Sequence, residues 1–197
     1  MREIAILIGA FVFWGFMHSV TATFRVKDFV SRTLGAWTER YYRLTYVALA
    51  TITFLPILAL PVLLPDVTLW TIPMPWALLT GAVQLAAVAA LGFSLLQSGS
   101  MAFLGIPQAL GASAPDKSEQ LNTGGLYRYM RHPLYTFSML FLWLTPVMTR
   151  NVLVLYAAFS IYFLVGAIFE EAKLVKQFPG AYEAYRARTK MFVPWVF

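Results

Sequence analysis

The sequence contains no cysteine and few charged residues. Without cysteine, the chain can form no disulfide, no thiolate metal site and no cysteine nucleophile. Charged residues make up 12% of the chain, against about 25% in soluble domains. Hydrophobic residues make up 59%, and the mean hydropathy is +0.67. These values indicate an integral membrane protein.

Long apolar runs predict the architecture, because about 20 residues are needed to cross a bilayer. The candidates are Ile4–Phe24, Leu44–Leu64, Trp76–Leu96, Leu134–Thr149 and Val152–Phe169. The last two are short, and the two residues between them predict a tight helical hairpin. Pro56 and Pro61 are expected to kink or shorten the second span, and Pro146 to bend the fourth.

We therefore expect an all-α, polytopic membrane protein of one domain with about five transmembrane helices. Residues 1–96 would form three N-terminal spans and residues 97–133 a cytoplasmic loop. Residues 134–169 would form the hairpin, and residues 170–197 a cytoplasmic C-terminal helix and tail. Oligomeric state is not predicted.

The positions of the basic residues predict the orientation. The chain has 15 Lys and Arg residues and a net charge of +6. All except Arg2 and Arg150 lie between the first and second spans, between the third and fourth, or after the fifth. Since basic residues flank spans on the cytoplasmic side, we expect these segments in the cytoplasm and the N-terminus outside. No basic cluster is interleaved with aromatic residues, so the expected partner is a lipid bilayer and not a nucleic acid.

The segment 97–130 predicts a pocket. Repeated Gly and Pro break regular structure there, although residues 101–110 remain apolar. Non-helical backbone near a membrane is tolerated only when protein buries it or it lines a polar cavity. We therefore expect this loop to fold over a pocket.

The first candidate for chemistry is Tyr127 together with the stretch from Arg131 to Tyr135. Pro133 suits the first position of a helix. Arg131 and His132 would then lie at a helix N-terminus that favours anionic groups. Each also has a structural explanation, Arg131 as an interface anchor and His132 as a hydrogen-bonded packing residue.

The second candidate is the acidic pair Glu170 and Glu171 at the end of the last span. A solvated helix end is the simpler explanation for one glutamate, and it is weaker for two adjacent acids at a membrane boundary. His18 lies inside the first span. It either packs there through a hydrogen bond or lines a pocket for a substrate.

At these motifs the sequence resembles a known family. Gly-Leu-Tyr-x-x-x-Arg-His-Pro-x-Tyr at 125–135 and Glu-Glu-x-x-Leu-x-x-x-Phe-x-Gly-x-Tyr-x-x-Tyr at 170–185 are similar to the isoprenylcysteine carboxyl methyltransferase superfamily. The resemblance covers roughly residues 121–194. Met-His-Ser at 17–19 and Glu-Arg-Tyr-Tyr-Arg-Leu at 39–44 resemble its branch of methanethiol S-methyltransferases and NnrU-like proteins.

The resemblance implies methyl transfer from S-adenosylmethionine, without a metal, to a small-molecule or lipid-like acceptor in a cytoplasmic pocket. The cofactor contacts that it implies are Glu119, Gln120, Leu121, Asn122, Tyr127, His132, Pro133, Leu134, Tyr135 and Glu170. A thiol acceptor must lose its proton, and the candidates that receive it or stabilise the thiolate are Arg131, His132, Glu171 and His18.

Gly166 is a departure from the superfamily pattern. Prenylcysteine-type members carry an arginine at this position, four residues before the matching glutamate, where it holds the substrate carboxylate. Because a buried carboxylate without a charged partner is costly, a neutral or small acceptor fits better here, most simply a thiol. Carboxyl methylation of an isoprenylcysteine-like or lipid acceptor is the alternative.

Two further alternatives stay open. Membrane sterol reductases have a related C-terminal half and use NADPH, although their chains are typically longer and their loop is richer in tryptophan. A non-catalytic NnrU-like membrane protein is the other, and it predicts no cofactor binding.

Overall fold

The computed structural model describes residues 1–98, 104–111 and 121–193. The elements in chain order are α1 (Arg2–Thr21), α2 (Phe24–Leu34), α3 (Ala36–Leu63), β1 (Thr68–Thr71), α4 (Trp76–Gln97), α5 (Ile106–Ala109), a 3₁₀ turn (Gly125–Arg128), α6 (Pro133–Trp143), β2 (Val147–Thr149), α7 (Arg150–Gln177) and α8 (Ala181–Arg188). The predicted all-α class is thus correct apart from two short strands.

The chain divides into two compact units. The first contains Met1–Val67, Gly99–Pro115 and Thr149–Leu155. The second contains Thr68–Ser98, Asp116–Met148 and Tyr156–Phe197. The beginning of α7 therefore belongs to the first unit and the rest of that helix to the second.

In the first unit, α1 and α2 pack against α3. Thr23 caps α2 by accepting a hydrogen bond from Val26 N. The α2 helix ends at Leu34, and Gly35 follows with a φ of 52° and a ψ of −128°, a backbone conformation that favours glycine. The α3 helix continues through Pro56 and Pro61, so these prolines do not shorten it.

The short helix α5 lies against α3 at a close approach of two backbones. Arg40 Nε donates to Ala109 O at 2.9 Å. A Cβ on Gly105 would lie 2.8 Å from Leu44 N, and Gly105 itself has a φ of +81°. Only glycine tolerates both conditions without displacement.

The start of α7 is held by the segment that follows α3. Asp66 Oδ1 accepts from Val67 N at 2.7 Å and from Asn151 N at 3.0 Å. Asn151 Nδ2 donates to Pro65 O at 3.2 Å. Backbone N–H groups at the start of a helix need such partners, and the Asp66 carboxylate supplies one.

In the second unit, α4 packs against α6, and Gln84 Nε2 donates to Phe141 O at 2.7 Å. The strands β1 and β2 form a two-stranded sheet. The α7 helix ends at Gln177, before Pro179–Gly180, and α8 follows as a separate short helix within the predicted C-terminal helix and tail. Whether α8 is cytoplasmic stays a prediction.

The fourth predicted span is shorter than the apolar run suggests. The α6 helix ends at Trp143, and residues 147–149 form β2 instead of continuing the helix. Pro146 has no N–H and disfavours a helical conformation at Thr145. The predicted all-helical hairpin at 134–169 is therefore wrong at 144–149.

Four described helical segments are long and apolar enough to cross a membrane: Arg2–Thr21, Arg40–Leu63, Trp76–Gln97 and Arg150–Gln177. Large apolar side chains on them are exposed, such as Val62 at 86% and Leu85 at 74%. Such exposure fits a lipid surrounding. The α6 helix is apolar but below spanning length, so the predicted count of five spans is not shown.

Candidate functional site

The candidate site lies in the second unit, at the N-terminus of α6. Pro133 is the first residue of this helix, and His132 precedes it with a φ of −124°. Proline at the first helical position is the predicted arrangement. The ψ of His132 is 64°, which lies outside the extended region that a following proline favours. The N–H groups of Leu134 and Tyr135, in the first turn, have no partner within the helix.

A buried ion pair joins the two predicted motifs. Arg131 Nε donates to Glu171 Oε1 at 2.6 Å, and the two side chains are 11% and 9% exposed. His132 Nε2 lies 3.1 Å from the same oxygen. Three of the four candidates for receiving the thiol proton or stabilising the thiolate, Arg131, His132 and Glu171, thus form one hydrogen-bonded group.

Glu170 lies on the other side of the His132 ring. Glu170 Oε2 is 3.6 Å from His132 Nδ1 and accepts from the Tyr135 hydroxyl at 3.2 Å. Its side chain is 50% exposed, whereas Glu171 is buried. His132 is therefore placed between two carboxylates, one available to a ligand and one already committed.

The segment after α8 pairs with the backbone of the first motif. Arg131 N donates to Lys190 O at 2.8 Å, and His132 N donates to Met191 O at 3.0 Å. Thr136 Oγ1 donates to Phe192 O at 3.2 Å. These contacts fix the backbone of the motif, and the sequence analysis missed them.

Two buried tyrosines of α8 complete this support. The Tyr185 hydroxyl donates to Tyr127 O. Burial raises the pKa of Tyr182, and the negative charge of Glu171 adds to the rise. Burial likewise raises the pKa of Tyr185. Both phenols therefore stay protonated at physiological pH.

Tyr127 is half-buried, and its pKa is raised by burial and by the nearby charge of Glu170. This proximity of Tyr127 to Glu170 fits their prediction as parts of one ligand site. Gly166 lies one helical turn before Glu170, and a Cβ there would lie 3.6 Å from the Tyr135 hydroxyl oxygen. Gly166 therefore faces Tyr135, which itself contacts Glu170.

The turn before Tyr127 is fixed by Gln97 at the end of α4. Gln97 Oε1 accepts from Leu126 N at 3.1 Å, and Gln97 O accepts from Asn122 Nδ2 at 2.7 Å. A Cβ on Gly125 would lie 1.6 Å from Gln97 Nε2. Gln97 is not among the predicted site residues, although it lies just before the glycine-rich loop, and this position was a signal in the sequence.

Not every predicted cofactor contact can be placed. Leu121 and Asn122 belong to the described residues, but Glu119 and Gln120 lie outside them. Within residues 1–98, 104–111 and 121–193, no group of three His, Asp or Glu side chains lies close enough to hold a metal ion.

Comparison with known proteins gives a family match that contains most of this site. A family model described as phospholipid methyltransferase matches residues 82–181. The chain belongs to the phospholipid methyltransferase family. The match includes the first motif and the second motif as far as Gly180. It ends before Tyr182, so the supporting contacts of Tyr182, Tyr185 and residues 189–192 lie beyond it.

The curated relatives carry one name. A methanethiol S-methyltransferase from Pseudomonas sp. (strain GM41(2012)) is 29% identical over 97% of this chain and 74% of its own length. Methanethiol S-methyltransferase 1 from Bradyrhizobium diazoefficiens is 39% identical over 36% of this chain, and one from Mycobacterium tuberculosis is 36% identical over 36%. The matches to these two cover 25% and 29% of the relatives' lengths. No solved structure matches the chain.

His18 lies in the first unit, outside the region that matches the phospholipid methyltransferase family. Its ring stacks on Trp14 and on Tyr46, at centroid distances of 4.9 and 5.0 Å, and Nε2 lies 2.8 Å from the Tyr46 hydroxyl. It also lines a largely apolar cavity of about 450 Å³ between α1, α2 and α3. The structure therefore supports both interpretations of His18, packing and pocket lining.

Proposed function

We propose that this chain is a membrane methyltransferase that uses S-adenosylmethionine and methylates a small or lipophilic acceptor, most simply a thiol. The observation that carries the proposal is the alignment along 97% of the chain with a protein named methanethiol S-methyltransferase. The positions of basic residues favour a site on the cytoplasmic side.

The residues at the N-terminus of α6 suit this cofactor, which carries an ammonium, a carboxylate and a sulfonium. The half-exposed Glu170 carboxylate offers a negative group to the cation. The free N–H groups of Leu134 and Tyr135, together with the helix dipole, offer a site for the carboxylate. Tyr127 lies close enough to Glu170 for the carboxylate charge to raise the pKa of the Tyr127 hydroxyl, in addition to the effect of burial. Its ring adds an aromatic wall to the site.

When bound, the cofactor supplies an electrophilic methyl group for in-line displacement by the acceptor. The protein contributes alignment of the reactants, which can be worth on the order of 7–11 kcal/mol. It also contributes a site in which buried side chains replace water.

We assign Arg131 and Glu171 a positioning role. The Arg131 guanidinium and the Glu171 carboxylate form a buried ion pair with each other, and Arg131 also donates a hydrogen bond to Thr189 O. An arginine held in this way keeps its charge and can lower the pKa of a nearby thiol without exchanging a proton. A direct role of either group in deprotonating the acceptor is less compatible with these contacts.

His132 also fits positioning better than proton acceptance. Its Nε2 lies 3.1 Å from Glu171 Oε1, and its Nδ1 faces Glu170 Oε2 at 3.6 Å. Both ring nitrogens are therefore directed at carboxylates of the protein. We propose that His132 orients Glu170 towards the cofactor.

Gly166 supports a neutral acceptor. It faces the Tyr135 hydroxyl, and glycine provides no cation for a substrate carboxylate. Since a carboxylate buried without a charged partner is costly, this favours a thiol over an isoprenylcysteine-like acceptor. His18 stays a candidate for contact with the acceptor.

The test is a methyl-transfer assay on the purified full chain with methyl-labelled S-adenosylmethionine. Methanethiol, a longer alkanethiol, a prenylcysteine and a phospholipid are offered separately. We expect label on the thiols. Label on prenylcysteine or phospholipid alone would contradict a thiol acceptor.

A binding measurement separates the remaining alternatives. A ligand that binds only the folded state raises the melting temperature. We expect S-adenosylmethionine to raise it and NADPH to leave it unchanged. The reverse result would favour a reductase, and no effect of either ligand would favour a non-catalytic protein.

A further inference from the structure

A second polar feature of the second unit lies outside the residues assigned to the cofactor. Arg128, Tyr129, Arg188 and Lys190 line a cavity of about 120 Å³. Arg128 ends the 3₁₀ turn, Arg188 ends α8, and Lys190 follows that helix. Two segments that are distant in sequence thus bring three cations to one small cavity.

These cations have no acidic partner. Among the described residues, none of the three takes part in an ion pair, while Glu171 is committed to Arg131 and His132. A cation in the last turn of α8 is favoured by the helix dipole, which accounts for Arg188. It does not account for Lys190, which lies beyond the helix. Three like charges around one cavity repel one another unless an anion is present.

The cavity is large enough to hold one phosphate group between the three cations. Arginine offers a planar fork of N–H donors that matches phosphate oxygens, and lysine adds a point charge.

We propose that Arg128, Arg188 and Lys190 form a binding site for a single phosphate group. The phosphate is either the headgroup of an anionic phospholipid or free inorganic phosphate, since both present the same oxygens. The half-exposed Tyr129 lines the same cavity and favours a site at a lipid surface, where juxtamembrane cations attract anionic headgroups.

Occupation of this site would also support the candidate functional site. Arg128 and Tyr129 directly precede Met130, which forms a parallel bridge with Lys190. A phosphate held by Arg128 and Arg188 therefore links the two segments whose backbones pair at Arg131 and Lys190. The proposal does not depend on the identity of the reaction, because its tests measure binding.

The experiment uses the full chain in lipid nanodiscs. Melting temperature is measured in neutral phosphatidylcholine, in the same lipid with added phosphatidylglycerol, and in neutral lipid titrated with inorganic phosphate at constant ionic strength. A rise with phosphatidylglycerol alone identifies a lipid headgroup, and a saturable rise with inorganic phosphate identifies the free anion. Either result supports the site, and no rise in either arm overturns it.

Matched variants separate the site from general attraction to charge. Arg188→Gln and Arg128→Gln are each expected to raise the amount of ligand needed for the melting-temperature rise about tenfold or more, because each removes a guanidinium group. Arg188→Lys keeps the charge and should raise this amount less. Arg186→Gln is the control, because it removes the same charge from the same helix but does not line the cavity. An equal loss in Arg186→Gln and Arg188→Gln would mean non-specific attraction and would refute the proposal.

Discussion

Replacing Glu171 with leucine is expected to destabilise the second unit through the charge that it leaves behind. In the wild type, Arg131 Nε lies 2.6 Å from Glu171 Oε1, and both side chains are about nine-tenths buried. Removing one partner of a buried pair typically costs about 3–5 kcal/mol. Arg131 keeps its bond to Thr189 O, so we expect the lower end, about 3 kcal/mol.

Thermal unfolding in a mild detergent measures this cost. For a chain of this length, about 3 kcal/mol corresponds to a melting temperature about 6–12 °C lower. Glu171→Gln retains an oxygen that can accept from Arg131 and should lose less. Glu183→Gln is the control, because Glu183 is an exposed acid on α8, and surface substitutions usually stay within about 0.5 kcal/mol.

A double-mutant cycle tests the cause. Arg131→Met combined with Glu171→Leu removes both charges, so the double variant should be less destabilised than the sum of the two single variants. The interaction energy should be about 1–3 kcal/mol. The buried pair does not hold the site together if Glu171→Leu has the melting temperature of the wild type. The same conclusion follows if the losses in free energy of unfolding of the two single variants simply add in the double variant.

Three further predictions follow from other parts of the structure. Glu170→Gln should weaken S-adenosylmethionine binding about tenfold in calorimetry. It should barely change the melting temperature of the ligand-free protein, because the side chain is half-exposed. A loss of folding free energy as large as the loss of binding free energy would contradict a ligand contact. Gly125→Ala should destabilise the protein by about 1–3 kcal/mol in thermal unfolding, since its φ is +54° and a Cβ would overlap Gln97, whereas Gly124→Ala, with its nearest atom at 3.7 Å, should not. Burial raises the pKa of Asp66, but hydrogen bonds from Thr149, Asn151 N and Val67 N outweigh it and leave the pKa below its usual range. The ionised Asp66 carboxylate therefore contributes to stability above its unfolded pKa of about 3.9, and this contribution is lost as the pH falls through its lower pKa in the folded state. In Asp66→Asn, the melting temperature should fall less steeply as the pH is lowered.

Helix positions were predictable where an apolar run has clear borders. The run predicted at Trp76–Leu96 is the helix Trp76–Gln97, because Pro75 precedes it and polar residues follow it. The run 134–149 misled for the opposite reason, since hydropathy does not distinguish an apolar strand from an apolar helix. Pro146 was expected to bend the helix, whereas the helix ends at Trp143, shortly before this proline.

The side chains of the site were more predictable than its support. Arg131, His132 and the two glutamates carry chemistry that a sequence displays, and they do come together. In the contacts at residues 189–192, the acceptors are backbone C=O groups, and the donors to residues 190 and 191 are backbone N–H groups. Every residue offers a C=O group, and every residue except proline offers an N–H group. Such pairing leaves no signature in the types of residue involved.

The pairing of Arg131 with residues 189 and 190 has a consequence for biosynthesis. The Arg131 side chain and its partner Thr189 O are 58 positions apart, and α7 lies between them. Arg131 and His132 therefore stay without these backbone partners until translation has passed residue 191. A ribosome-bound chain that stops before this point can insert its helices into the bilayer, yet its ligand site is unfinished. Ligand binding at this site should accordingly begin late in synthesis, after the four described helices of spanning length have been made.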